Sequence, residues 1–234
     1  MIASLNNSQR TYGLPITVSA PRSGLNWLRF LTERYLELKT PGKKVLRARG
    51  ENEHFAFMRS HDVLGLRKDP RPTPPSSSQW LLQEEFSPFA NRVILLVRDP
   101  YSTFIRGYKR DFGLFRAHIG NLTFFAESNL PKVAFSYRDM IQSPVTAREA
   151  LLFVAQGHKK PPSVPSVSEL EDDWSELNRE SREIYDKNNS RAGGAVTKDS
   201  PLDFGFWERK LEVEEKNTID DLMRQVPEFL RNLA

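Results

Sequence analysis

A β-run that breaks at a proline and restarts at once as an amphipathic helix constrains this chain most. Ile16-Thr17-Val18-Ser19-Ala20 runs into Pro21-Arg22-Ser23-Gly24 and then into Leu25-Asn26-Trp27-Leu28. Pro21 ends the strand, because a prolyl nitrogen has no hydrogen for a sheet ladder, and Gly24 permits close backbone approach. The first amides of a helix lack intrahelical acceptors and sit at the positive end of its dipole, so the turn suits an anion, with Arg22 adding a full charge. A purely structural helix cap fits the same residues, and the rest of the chain decides.

Strand-like runs near residues 14–20, 54–60, 93–97 and 133–137 alternate with helical patterns near 24–38, 100–110 and 144–156. That alternation predicts an α/β fold with a central parallel sheet flanked by helices. Ligands of such sheets bind beyond the carboxyl ends of the strands, where Arg22, His61, Arg98 and Tyr137 all fall. Proline- and serine-rich stretches at 69–78 and 160–168 read as loops, and helices are expected over 170–188 and 212–233, with Pro227 bending or ending the last. A length of 234 residues, 38% of them hydrophobic, favours one domain spanning residues 1–234. No apolar run approaches a membrane span and no leader precedes the first strand, so a cytoplasmic protein without a membrane partner is expected. Zero cysteines exclude disulfides, thiolate catalysis and cysteine-bound zinc. A net charge of +4 suits an anionic ligand, and it suits nucleic acid or simple solubility equally.

Further motifs follow in order. Arg59-Ser60-His61-Asp62 comes after the apolar Phe55-Ala56-Phe57-Met58; Val93-Ile94-Leu95-Leu96-Val97 enters Arg98-Asp99-Pro100; Val133-Ala134-Phe135-Ser136 enters Tyr137-Arg138-Asp139-Met140; and Arg191-Ala192-Gly193-Gly194 lies near the C-terminus. In this order and at these separations the set resembles the sulfotransferases that use 3′-phosphoadenosine 5′-phosphosulfate (PAPS), particularly the cytosolic type. The resemblance runs from about the first strand to the C-terminal helix. It implies a P-loop nucleotide-kinase-like sulfotransferase fold, PAPS as sulfuryl donor, its desulfated product 3′,5′-bisphosphoadenosine, and no metal.

The resemblance also implies roles for individual residues. Arg22, Ser23, Gly24 and Asn26 would hold the 5′-phosphate, with Arg22 where lysine is commonest, and Leu25 offering only its backbone amide. Trp27 would stack on adenine; core packing on a helix face is the plainer reading. Arg98 resembles the arginine that grips the 3′-phosphate, a task suited to a guanidinium fork. The serine usual eight residues later is replaced by Arg106, so either Arg106 binds phosphate or Ser102, one turn earlier, does; a solvated Arg106 beside Lys109 and Arg110 is as natural. Tyr137 would flank adenine, and Arg191, Ala192 and Gly193 resemble a C-terminal clamp on the 3′-phosphate that has lost a lysine at Ala192.

Of four histidines, His61 matches the family's catalytic base, and histidine suits that task because its ordinary pKa of about 6.5 leaves a neutral base near pH 7. Arg59, two positions earlier, resembles the strand lysine that contacts the transferring sulfuryl, so Arg22, Arg59 and His61 form the expected catalytic set. His54 falls on the opposite face of a continuous strand, while His118 and His158 are expected to face solvent. A P-loop kinase is disfavoured, since no Gly-x-x-x-x-Gly-Lys-[Ser/Thr] run is present, and a nucleic-acid-binding module lacks zinc spacing or a ribonucleoprotein motif. A catalytically silent, nucleotide-binding relative fits the departures at Leu25, Arg106 and Ala192. The expected acceptor is a small molecule or glycan. A basic rim at Arg67 and Lys68 favours an anionic one, whereas Phe112, Phe115, Phe124 and Phe125 favour a phenol or lipid-like alcohol; a monomer or homodimer is expected.

Overall fold

The computed structural model describes residues 11–41, 55–66, 81–189 and 205–233. Arg191, Ala192 and Gly193, Arg67 and Lys68, the loop at 69–78 and His54 lie outside them. Four strands, β1 (Leu14–Ser19), β2 (Met58–Ser60), β3 (Ala90–Val97) and β4 (Lys132–Ser136), form one parallel sheet in the order β2-β1-β3-β4. The chain leaves β1 toward one edge to make β2 and toward the other to make β3. A crevice therefore opens between the carboxyl ends of β1 and β3, the switch point where such sheets hold ligands.

Every residue of β1 is buried, as a central strand covered on both faces requires. Strand alternation sends Ile16, Val18, Val93, Leu95 and Val97 into one core with Phe104, Phe115, Leu122 and Ile219. It sends Ile94 and Leu96 into a second core with Leu28, Leu31, Leu151 and Val154. The first face thus carries α4 (Phe112–Glu127) and α8 (Val213–Met223), and the second carries α1 (Leu25–Leu31) and α6 (Pro144–Ala155). Between these lie α2 (Gln83–Phe86), α3 (Pro100–Ser102) and α5 (Tyr137–Gln142). The long α7 (Val167–Asn189) buries Leu170 and Leu177 in the second core. Both α1 and α3 widen into a π-helical turn, over Thr32–Leu36 and Thr103–Gly107 respectively. Pro227 ends α8's segment and caps the short α9 (Glu228–Arg231), since it has no N–H to continue a helix but fits the start of one. Among the described residues no helix is long and apolar enough to cross a membrane.

Three expectations are corrected. α4 occupies a stretch where the alternation of runs predicts no element; Asp111 caps it through the Leu114 amide, Phe115, Phe124 and Phe125 are buried in the core, and Phe112 packs against it. His118, on the same helix, is buried at 1% exposure against the Phe115 ring and does not face solvent. His158 is half-buried, with its Nε2 bonded to the Ala56 carbonyl at 2.9 Å.

Candidate functional site

The turn after β1 is built from two left-handed residues, Arg22 (φ 72°) and Gly24 (φ 90°). The amides of Trp27 and Leu28 both donate to the Gly24 carbonyl, at 2.9 and 3.1 Å. Those of Gly24, Leu25 and Asn26 make no hydrogen bond among the described residues, and no side chain caps the helix. The Ser23 hydroxyl is buried with no hydrogen-bond partner among the described residues. Helix-start amides without intrahelical acceptors, beside a buried hydroxyl, offer a set of donors of the kind that forms an anion cradle.

Gly24 is required there for a second reason. A Cβ at this position would lie 2.5 Å from Cδ2 of Tyr137, the first residue of α5, so the turn and the end of β4 touch through the missing side chain. Gly24→Ala adds that overlap to an unfavourable φ and is expected to cost about 1–3 kcal/mol of stability, read as a lower urea midpoint at unchanged m-value. An unchanged midpoint would mean that the ring moves aside freely.

Beyond β3, Arg98 reaches back across the crevice and donates from Nη1 to the Arg22 carbonyl at 2.9 Å. Its guanidinium carbon lies 4.5 Å from the centre of the Tyr137 ring, while Nε has no hydrogen-bond partner among the described residues. Asp99 caps the next helix by accepting from the Ser102 amide at 2.7 Å, and its other oxygen stands 3.9 Å from Arg98 Nε. The Ser102 hydroxyl is fully buried and also lacks a hydrogen-bond partner among the described residues. Burial and then the Arg106 charge push Arg22 below its ordinary pKa. Burial also lowers Arg98, opposed by Tyr137 and reinforced by Arg106 and Arg22. These guanidinium groups repel one another beside the Asp99 carboxylate, and a bound anion would relieve that repulsion.

His61 follows β2 directly, with 8% of its surface exposed. Its Nδ1 lies 2.7 Å from the Ser19 carbonyl and 3.1 Å from the Ser19 hydroxyl. A carbonyl only accepts, so Nδ1 carries the proton of the neutral ring and Nε2 is left as the basic nitrogen. Asn121 of α4, fully buried, fixes the same segment by donating to the His61 carbonyl at 2.9 Å and accepting from the Val63 amide at 3.1 Å. No motif marks Asn121. No sequence spacing singles it out either: the stripe of Phe115, Ile119 and Leu122 lies on another side of the helix, and position 121 is buried with Ala117, His118 and Phe125 only because α4 is covered on more than one side.

Other expected site residues sit differently. Trp27 is 6% exposed, donates from Nε1 to the Met140 carbonyl at 2.8 Å, and packs beside Phe30 and Trp174 at 5.8 and 5.5 Å. Its placement is that of a core residue. Leu25 is likewise buried, whereas Asn26 is exposed and its Oδ1 accepts from Arg29 Nη1 at 3.2 Å, leaving its –NH2 as the group that can donate outward. Arg59 is buried beneath α1; burial, and then the charge of Arg29, push its pKa down to about 9. Arg29, itself held by Thr40, Glu33 and Asn26, thus adds a cation beside the expected catalytic set. Among the described residues no three His, Asp or Glu side chains are grouped to hold a metal ion.

The fold and site together define a parallel α/β protein whose switch-point crevice gathers three arginines around an uncapped helix start. No protein-family model matches the chain, and no curated protein matches it at a significant level.

Proposed function

We propose that this chain is a sulfotransferase with the P-loop nucleotide-kinase-like fold, moving a sulfuryl group from PAPS to a hydroxyl or amine of a small-molecule or glycan acceptor. The observation that carries the reading is the convergence of Arg22, Arg98 and Arg106 on the crevice, with two buried, unpartnered serine hydroxyls at Ser23 and Ser102. The five-motif resemblance supplies the chemistry, and the donor set fits a nucleotide bearing two separated phosphates. Ser23, Asn26, Arg22 and the amides of Gly24 and Leu25 would hold the 5′ side; Arg98, with Ser102 or Arg106, would hold the 3′-phosphate. Arg191, Ala192 and Gly193 would complete the 3′ side, and Tyr137 rather than the core-packed Trp27 would flank adenine. As part of the same proposal the enzyme works in the cytoplasm, as a monomer or homodimer.

PAPS supplies an activated sulfuryl group whose S–O bond to phosphate breaks as the new S–O bond to the acceptor forms, leaving 3′,5′-bisphosphoadenosine. His61 Nε2 takes the acceptor's proton, held in the right tautomer by the Ser19 carbonyl. Arg22, Arg59 and the free helix amides face the negative charge that collects on the departing phosphate, and their fixed positions spare reorganisation during the reaction.

Arg98→Ala is expected to weaken 3′,5′-bisphosphoadenosine by about 10- to 150-fold while sparing adenosine 5′-monophosphate, since a charge-assisted hydrogen bond is worth roughly 1.5–3 kcal/mol. Titration calorimetry on the wild type and the variant reads this directly. Equal wild-type affinity for the two nucleotides would overturn the proposal.

A further inference from the structure

The segment after β3 is gripped by the C-terminal part of the chain at three points. Tyr101 donates to Asp220 of α8 at 2.8 Å, Arg110 pairs with Glu215 at 3.2 Å and donates to the Lys210 carbonyl, and between them Arg106 meets Trp207. The Arg106 guanidinium carbon lies 5.2 Å from the centre of the Trp207 ring, within cation–π range. Trp207 packs edge-on against Phe206 at 5.1 Å, just before the 3₁₀ turn Glu208–Lys210. Both Arg106 and Trp207 are half-buried, and Arg106 makes no hydrogen bond or ion pair among the described residues.

This contact solves a physical problem. Arg22 and Arg98 repel the Arg106 cation, and a long, flexible side chain would turn away to water unless something held it. A carboxylate partner would hold it but neutralise its charge and occupy its donors. An indole face attracts the cation without a counter-charge and without a lone-pair acceptor for its N–H groups, so the charge persists and N–H donors stay available to an incoming anion. We infer that Trp207 is a positioning residue for anion binding, holding Arg106 as the third guanidinium of the switch-point site. It answers the choice between Ser102 and Arg106 in favour of Arg106 as a direct phosphate ligand, and makes the C-terminal segment part of the site. This rests on the proposed nucleotide reading, and the test separates the two.

Calorimetric affinities for 3′,5′-bisphosphoadenosine and for inorganic pyrophosphate are measured on the wild type, Trp207→Ala, Trp207→Phe, Arg106→Ala, and the Trp207→Ala/Arg106→Ala double variant. A cation–π contact of roughly 0.5–2 kcal/mol predicts a loss of about 2- to 30-fold in Trp207→Ala, restored largely by Phe, and no further loss once Arg106 is gone. Tyr101→Phe is the control: it removes another contact of the same interface, and should lower the melting temperature without changing either affinity. Wild-type affinity in folded Trp207→Ala, or an equal loss in the Arg106→Ala background, would overturn the inference. Pyrophosphate binding that follows the predicted pattern without nucleotide binding would support Trp207's role and sink the nucleotide reading alone. Binding of neither probe by the wild type would overturn both.

Discussion

On the proposed reading, His61→Ala is expected to lose turnover by a factor of about 10² to 10⁴, the usual contribution of a positioned general base, while still binding 3′,5′-bisphosphoadenosine. The Ser19 carbonyl, 2.7 Å from Nδ1, and the Asn121 bond to the His61 carbonyl hold the ring and its backbone from opposite sides. The same reading expects the wild-type rate to fall on the acid side, because an imidazolium cannot accept a proton from the acceptor, and the residual rate of the variant to lack that limb. Steady-state rates with an identified acceptor and saturating donor decide it. Near-normal turnover in His61→Ala would shift the role to Asp62, which is buried next to it and accepts from the Leu66 amide at 3.0 Å.

Acid should unfold this protein through His118. Burial holds the His118 pKa down, from 6.5 to about 4, and neither ring nitrogen has a hydrogen-bond partner among the described residues. The unfolded chain binds a proton below pH 6.5 that the folded chain refuses until about pH 4. Stability from this group is therefore complete above the unfolded pKa and declines as pH falls through that window, by up to about 3 kcal/mol. His118→Leu, which removes two unsatisfied polar atoms from an apolar site, is expected to be at least as stable as the wild type at pH 7.5. At pH 4.5 it should exceed the wild type by most of that amount in urea unfolding. A stability difference that stays constant between the two pH values would refute this account of the residue.

The strands and the turn after β1 were legible because their signals are local. A run of apolar and β-branched residues, a proline without an N–H and a glycine free to take φ 90° announce a strand end and a helix start within a dozen positions. α4 was not legible in that way. Gly113 and Gly120 weaken its helical signal, and Gly120 is small because a Cβ there would sit 2.8 Å from Leu64 Cδ1, in the loop that follows His61. With α4 unread, its aromatic residues looked like a ligand wall, and His118 looked like a surface residue.

The candidate site divides along the same line. That a cationic turn, a strand-end histidine and a strand-end arginine lie at the carboxyl ends of parallel strands follows from residue order, since each strand carries its own loop there. Which groups meet does not follow from it. Arg98 bonds the Arg22 carbonyl because β1 and β3 are neighbours; His61 takes its tautomer from Ser19 because β2 lies on the other side of β1. Trp27 is drawn into the core by Phe30, Trp174 and the Met140 carbonyl, and Arg106 is held by a ring a hundred positions later in the chain. Backbone conformation is set by sterics and hydrogen bonding within a few residues, so a short window of sequence carries it. Side-chain partnership is set by the burial of two whole cores and the strand order they stabilise, a sum over contacts that no single window contains.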